Sequence, residues 1–132
     1  MLKINDMARL EKEFPFQKLE VWHDAKELSL IIYQITRSIS SNEKFGLISQ
    51  MRRAAISVPA NLAEGSSRIT KKEQARFTEI AFGSLMELAN LLIIAQELKF
   101  VDSKAVDPVL DNIKMLGKRL SSLRNSQFKA ND

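Results

Sequence analysis

Apolar residues recur along this chain in steps of three and four, and four separate runs share that rhythm. In the first, Val21, Ala25, Leu28, Ile32, Ile35 and Ile39 form a heptad-like seam. That spacing marks one buried face of an α-helix. It predicts a helix over Leu19–Ser38, flanked on one side by Trp22 and Tyr33 and ended by Ser40, Ser41 and Asn42. The second run is Ile48, Met51, Ala55, Val58 and Leu62, and it predicts a helix over Lys44–Glu64 with Pro59 in its interior. An interior proline removes a backbone hydrogen bond and costs about 3 kcal/mol. Because the seam keeps its phase across Pro59, we expect one kinked helix. The alternative is a break, with Ser57 or Val58 ending one helix and Pro59 opening the next. Gly65 then fits a C-terminal cap. Thr70 and Glu73 fit a capping box, in which the threonine oxygen takes the Glu73 N–H and the Glu73 side chain reaches back.

The third helix is expected over Lys71–Lys99, and it carries two seams. Phe77, Ala81, Ser84, Leu88, Leu91, Ala95 and Leu98 make one; Phe82, Met86, Ala89 and Ile93 make the other. At about 100° per residue the two point in opposite directions. A surface helix in a monomer needs a single stripe, so this helix is either central in the fold or buried again by a partner subunit. The fourth helix is expected over Ala105–Ser126 on Val106, Val109, Ile113, Leu116, Leu120 and Leu123. Pro108 falls in its first turn, where proline is tolerated. Short connections favour antiparallel neighbours, so the expected fold is all-α: an up-down-up-down four-helix bundle over residues 16–126. Residues 1–15 are expected as a flexible or partly helical arm and 127–132 as a loose tail.

Composition narrows the picture little. The chain has 132 residues, no cysteine and a net charge of +4. Without cysteine there are no disulfides or thiolate metal sites, and a reducing cytoplasm fits. The first residues are too charged for a signal peptide. The apolar run from Ile80 to Ala95 is short for a membrane span and is broken by Glu87 and Asn90. A soluble cytoplasmic protein with no membrane partner is expected. The mild basic bias is compatible with an anionic partner.

Three stretches make the chain recognisable: LEVW at 19–22, QMRRAAISVPANLAEG at 50–65, and Phe77 followed by IAFGSLMEL at 80–88. They resemble the four-helix bundle family of large-subunit rRNA intervening-sequence proteins over roughly Phe16 to Leu123. The resemblance implies a bundle that assembles into a ring-like homopentamer. It also implies kinship with the accessory variability protein of diversity-generating retroelements, which is basic and binds nucleic acid and a reverse transcriptase. Two departures stand out. Lys18 occupies a position where the family often has a capping aspartate, and Ser66-Ser67 replaces an aromatic-glycine pair.

Two groups of residues are candidates for binding. Opposite the core seam of the second helix lie Arg53, Ser57, Ala60 and Glu64. The small residues suit close approach of another helix, and the charges suit ion pairs within or between subunits. Together with Phe82, Met86, Ala89 and Ile93 they form the expected subunit interface. Arg52 and Arg53 could alternatively bind an anion. Arg68, Lys71, Lys72 and Arg76 cluster at the start of the third helix, where a helix N-terminus and basic side chains suit phosphate. The plainer reading is a solvated basic turn. No catalytic, cofactor or metal site is expected. His23 has no partner for a metal or a triad, and the glutamates lack the Glu-x-x-His pattern of di-iron bundles. The sequence thus points to a non-enzymatic homo-oligomeric scaffold that binds RNA or a nucleic-acid-processing protein. The alternative is a purely protein-binding or structural module.

Overall fold

A computed structural model of the chain describes residues 13–130. Residues 1–12 of the expected arm and 131–132 of the expected tail lie outside the described residues. Among the described residues there are four α-helices and no strand: α1 Glu20–Thr36, α2 Ser49–Ser66, α3 Lys71–Glu97 and α4 Ser103–Lys129. The seams supply much of the core, joined on α3 by Leu85 and Leu92, which lie on neither expected seam. Ile32, Met51, Val58, Leu85, Leu88, Leu92, Val106, Ile113 and Leu120 are fully buried. α3 packs against both α2 and α4, so the helix with two apolar sides is central in the fold, while Met86 and Ile93 of its second seam stay exposed.

The helix ends differ from expectation for local reasons. Lys44–Ile48 winds as a π turn around Gly46, whose φ of −102° and ψ of −106° are not helical, so regular helix begins only at Ser49. α4 begins two residues before the expected Ala105 because Asp102 caps it, its side chain accepting the Lys104 N–H at 3.1 Å. Pro108 therefore sits in the second turn. At the other end α4 runs on to Lys129, through part of the expected tail. The start of α3 is half as read: the Thr70 hydroxyl accepts the Glu73 N–H at 3.1 Å, but the Glu73 side chain makes no return bond among the described residues.

Gly65 is not a cap. It lies buried inside α2, which continues to Ser66. The serines that follow close the helix instead. The Ser66 hydroxyl donates to the Ala63 carbonyl and the Ser67 hydroxyl to the Glu64 carbonyl, each at 2.7 Å. The left-handed cap falls on α3. There the Phe100 N–H bonds the Ala95 carbonyl at 2.9 Å and the Lys99 N–H bonds Gln96 at 3.0 Å. These are the two bonds of a Schellman motif. Lys99 holds its left-handed position with φ of 61°, where a lysine Cβ is crowded and glycine is not.

Pro59 is buried within one continuous helix, so the alternative break at Ser57 or Val58 does not occur. Proline has no N–H, and the Ala55 carbonyl four residues earlier loses its helical donor. α1 supplies a replacement. The buried Ser29 hydroxyl donates to the Ala55 carbonyl at 2.9 Å, within reach also of Ala25 at 3.1 Å. Higher up, Thr36 accepts Arg52 Nε at 2.8 Å, and the Arg52 guanidinium lies 4.5 Å from the Tyr33 ring centre. Both contacts fix α2 on α1.

Two measurements check this account. Ser29→Ala should destabilise by about 1–3 kcal/mol, the penalty of an orphaned buried carbonyl. In a Pro59→Ala background, where residue 59 again offers an N–H, the same change should cost under about 1 kcal/mol. Equal costs in urea unfolding of the two backgrounds would exclude the coupling. Separately, Lys99→Gly should raise stability by about 1 kcal/mol through relief of the left-handed strain.

Candidate functional site

The basic cluster is built on the turn between α2 and α3. Its geometry depends on how closely the two helices approach. A Cβ on Gly65 would sit 2.7 Å from Phe77 Cβ, so glycine is required there for contact and not for backbone conformation. Phe77 then lies beneath Arg68, whose guanidinium is 4.8 Å from the ring centre. Arg68 also pairs with Glu64 at 3.1 Å, and its carbonyl accepts Gln74 Nε2 at 2.9 Å. It is a structural part of the turn, and Glu64 offsets much of its charge. Lys71, Lys72 and Arg76 are exposed on the first two turns of α3. Arg76 has no ion-pair or hydrogen-bond partner among the described residues. The Thr78 hydroxyl donates to Gln127 Oε1 at 2.7 Å, which brings the end of α4 alongside. A cavity of about 300 Å³ opens here, lined by Asn61, Gln74, Thr78 and Gln127 among others.

The expected subunit face divides. Arg53, Ala60 and Glu64 are exposed along α2, but Ser57 is half-buried and committed within the chain. Its hydroxyl shares a hydrogen bond with Ser84 of α3 at 2.8 Å and accepts Asn61 Nδ2 at 3.0 Å. Arg53 has no partner among the described residues, while its neighbour Arg52 is held against α1. The two adjacent arginines therefore do different things, since 100° separates them on the helix.

On α3, Phe82 and Ala89 pack against the chain's own core. Phe82 lies within 3.6 Å of the position a Cβ would take on Gly117 of α4, so α4 already covers that flank of the second seam. Met86 and Ile93 stay exposed, and so do Ile80 and Ile94; their exposures run from 40% to 46%. Only 33% of the most apolar stretch of α3 is buried inside the chain. By length and composition alone this helix could cross a membrane.

The outward stripe that matters was not read from the sequence. Ile80, Glu87 and Ile94 recur every seven residues on the side of α3 next to α2, with Gly83 between them. Their seven-residue spacing is a visible signal, but Glu87 and Gly83 disguise it. On α2 Ile56 is also exposed, but on the side toward α1. A separate open groove of about 580 Å³ runs between α1 and α2, with Tyr33, Phe45, Arg52 and Arg53 on its walls. Phe45 is 91% exposed; it was expected at the start of a regular helix and lies in the π turn.

A family model described as 23S rRNA-intervening sequence protein matches residues 17–122. No curated protein matches the chain.

Because the turn is set by contact at Gly65, Gly65→Ala should force α2 and α3 apart and destabilise by about 1–3 kcal/mol. Thermal unfolding of the variant, beside an exposed Gly83→Ala control in which the added methyl meets nothing within 4 Å in the chain, tests this.

Proposed function

The chain belongs to the 23S rRNA-intervening sequence protein family, and from that membership we propose that it is a non-enzymatic, homo-oligomeric scaffold, pentameric as the resemblance implies. The observation that carries the reading is the outer side of α3, where Ile80, Met86, Ile93 and Ile94 are each 40–46% exposed. An apolar surface of this kind on one helix marks an interaction site. In the same proposal, the four helices alternate up and down, with α2 kinked at Pro59. The Thr78–Gln127 bond and the Arg119–Asp24 ion pair support that alternation. The Ala55 carbonyl, which takes its hydrogen bond from Ser29 of α1, supports the kink.

The second part of the proposal concerns the partner. Lys71, Lys72 and Arg76 present positive charge at a helix N-terminus, an arrangement suited to phosphate. Repeated in each subunit of an assembly, a weak patch becomes a multivalent one. RNA, or a protein that processes nucleic acid, is the partner this arrangement suits. Kinship with the retroelement accessory protein and a cytoplasmic location, favoured by the lack of cysteine, belong to the same reading.

Light scattering at micromolar concentration should give five times the 15.0 kDa chain mass; a stable monomer refutes the assembly. RNA should be retarded at low salt and released as salt rises. Changing Lys71, Lys72 and Arg76 together to alanine should weaken binding about tenfold or more with the oligomer intact. An oligomer that retards no RNA leaves the scaffold as a purely protein-binding module.

A further inference from the structure

The cavity at the end of the bundle is built by all four helices. Leu19 at the head of α1, Asn61 and Leu62 of α2, Gln74 of α3, and Leu123 and Gln127 of α4 line it. Its volume of about 300 Å³ stands at the small end of ligand sites, which run from roughly 300 to 1,000 Å³. Among the described residues that line it, Lys71 alone is ionic, and it is exposed. The other polar side chains are hydroxyls and amides.

The bonds around the cavity fix which end of each amide is free. Asn61 Nδ2 donates to the Ser57 carbonyl at 2.8 Å, and Gln74 Nε2 donates to the Arg68 carbonyl at 2.9 Å. A carbonyl only accepts, so the nitrogens are committed and Asn61 Oδ1 and Gln74 Oε1 are the free ends. Gln127 is held the other way round. Its Oε1 accepts the Thr78 hydroxyl at 2.7 Å, the shorter of that hydroxyl's two bonds, the other being 3.1 Å to the Gln74 carbonyl. Gln127 Nε2 is then a free donor. None of these three free ends has a hydrogen-bond partner among the described residues, and all three side chains are half-buried. The cavity thus offers two acceptors and one donor, with a positive charge at its side. Its complement is a flat, uncharged edge with two donors and one acceptor, attached to an anion. Of the four RNA bases, guanine has that Watson–Crick edge: N1–H and the N2 amino group donate, and O6 accepts.

We infer that this cavity takes a guanine base from a single RNA strand, its Watson–Crick edge read by Asn61, Gln74 and Gln127 and its phosphate lying toward Lys71. This rests on the RNA partner proposed above and names the group by which that partner is recognised. An unpaired base is required, because a duplex already uses that edge. One feature favours a strand over a free nucleotide. Phe14, next in the chain to the wall residue Pro15, is 63% exposed and stacks flat on Phe16, with ring centres 5.5 Å apart. An exposed aromatic face gives a neighbouring base a place to stack.

The experiment is fluorescence anisotropy of the full chain with short labelled oligouridines at low salt. A strand carrying one guanosine should bind tenfold or more tighter than plain oligouridine or a strand with adenosine at the same place. Inosine, which lacks the N2 amino group, should fall between them. Gln127→Glu keeps an oxygen for Thr78 and removes the free donor. It should reduce the preference for guanosine to under about threefold, with thermal unfolding unchanged. The inosine comparison needs no variant and decides the matter if the substitution disturbs folding. Equal affinity for all strands overturns the inference and leaves RNA binding standing, and so does a guanosine preference that survives Gln127→Glu in a folded chain. Free guanosine monophosphate that binds as tightly as the strand assigns the cavity to a nucleotide and overturns the inference as one about RNA. Binding of no strand at all overturns both readings.

Discussion

The bond between the Ser29 hydroxyl and the Ala55 carbonyl decides how the rest of the bundle sits. A proline within a buried helix creates an acceptor that the helix itself cannot satisfy. That acceptor must find a donor or bear a desolvation penalty comparable to a large core mutation. Here the donor comes from α1, so the proline that weakens α2 locally also fixes its position against a neighbour. Arg52 makes a second such link through Thr36. With α1 and α2 joined in this way, Arg53 must point outward, because the helix turns by 100° between them.

Much of the fold could be read from the sequence because it depends on periodicity. The seams on α1, α2 and α4 became buried residues almost one for one, and Thr70 marked the first residue of α3. What failed were inferences from single residue types. A glycine near a helix end can serve the backbone or can make room for a neighbour, and sequence does not separate these uses. Gly65 makes room for Phe77, while the left-handed cap was left to Lys99, which carries no such signature. Asp102 starts α4 ahead of its first apolar seam residue, Val106, so the seam alone places the helix start too late.

The candidate sites were legible only in part. Periodicity shows that α3 is apolar on more than one side but not which neighbour covers which side. α4 covers Phe82 and the core takes in Ala89, which leaves Met86 and Ile93 of that seam open beside Ile80, Glu87 and Ile94. A charged residue at the centre of that stripe conceals it from any search for apolar repeats. In the basic cluster, Arg68 looked equivalent to its neighbours. Only its packing over Phe77 and its pairing with Glu64 set it apart.

The contact at Gly65 has a mechanical side. α2 and α3 touch there and again at Ser57 and Ser84, about 12 Å further along at 1.5 Å per residue. Arg53 lies about 6 Å beyond the second contact. The two helices also pack along the length between and beyond these points, and α1 holds α2 at Ala55 and Arg52. A methyl group at the glycine would therefore be met by strain spread along the whole seam and not by a local hinge. The basic turn and the outer face, though separate surfaces, are joined through that one seam.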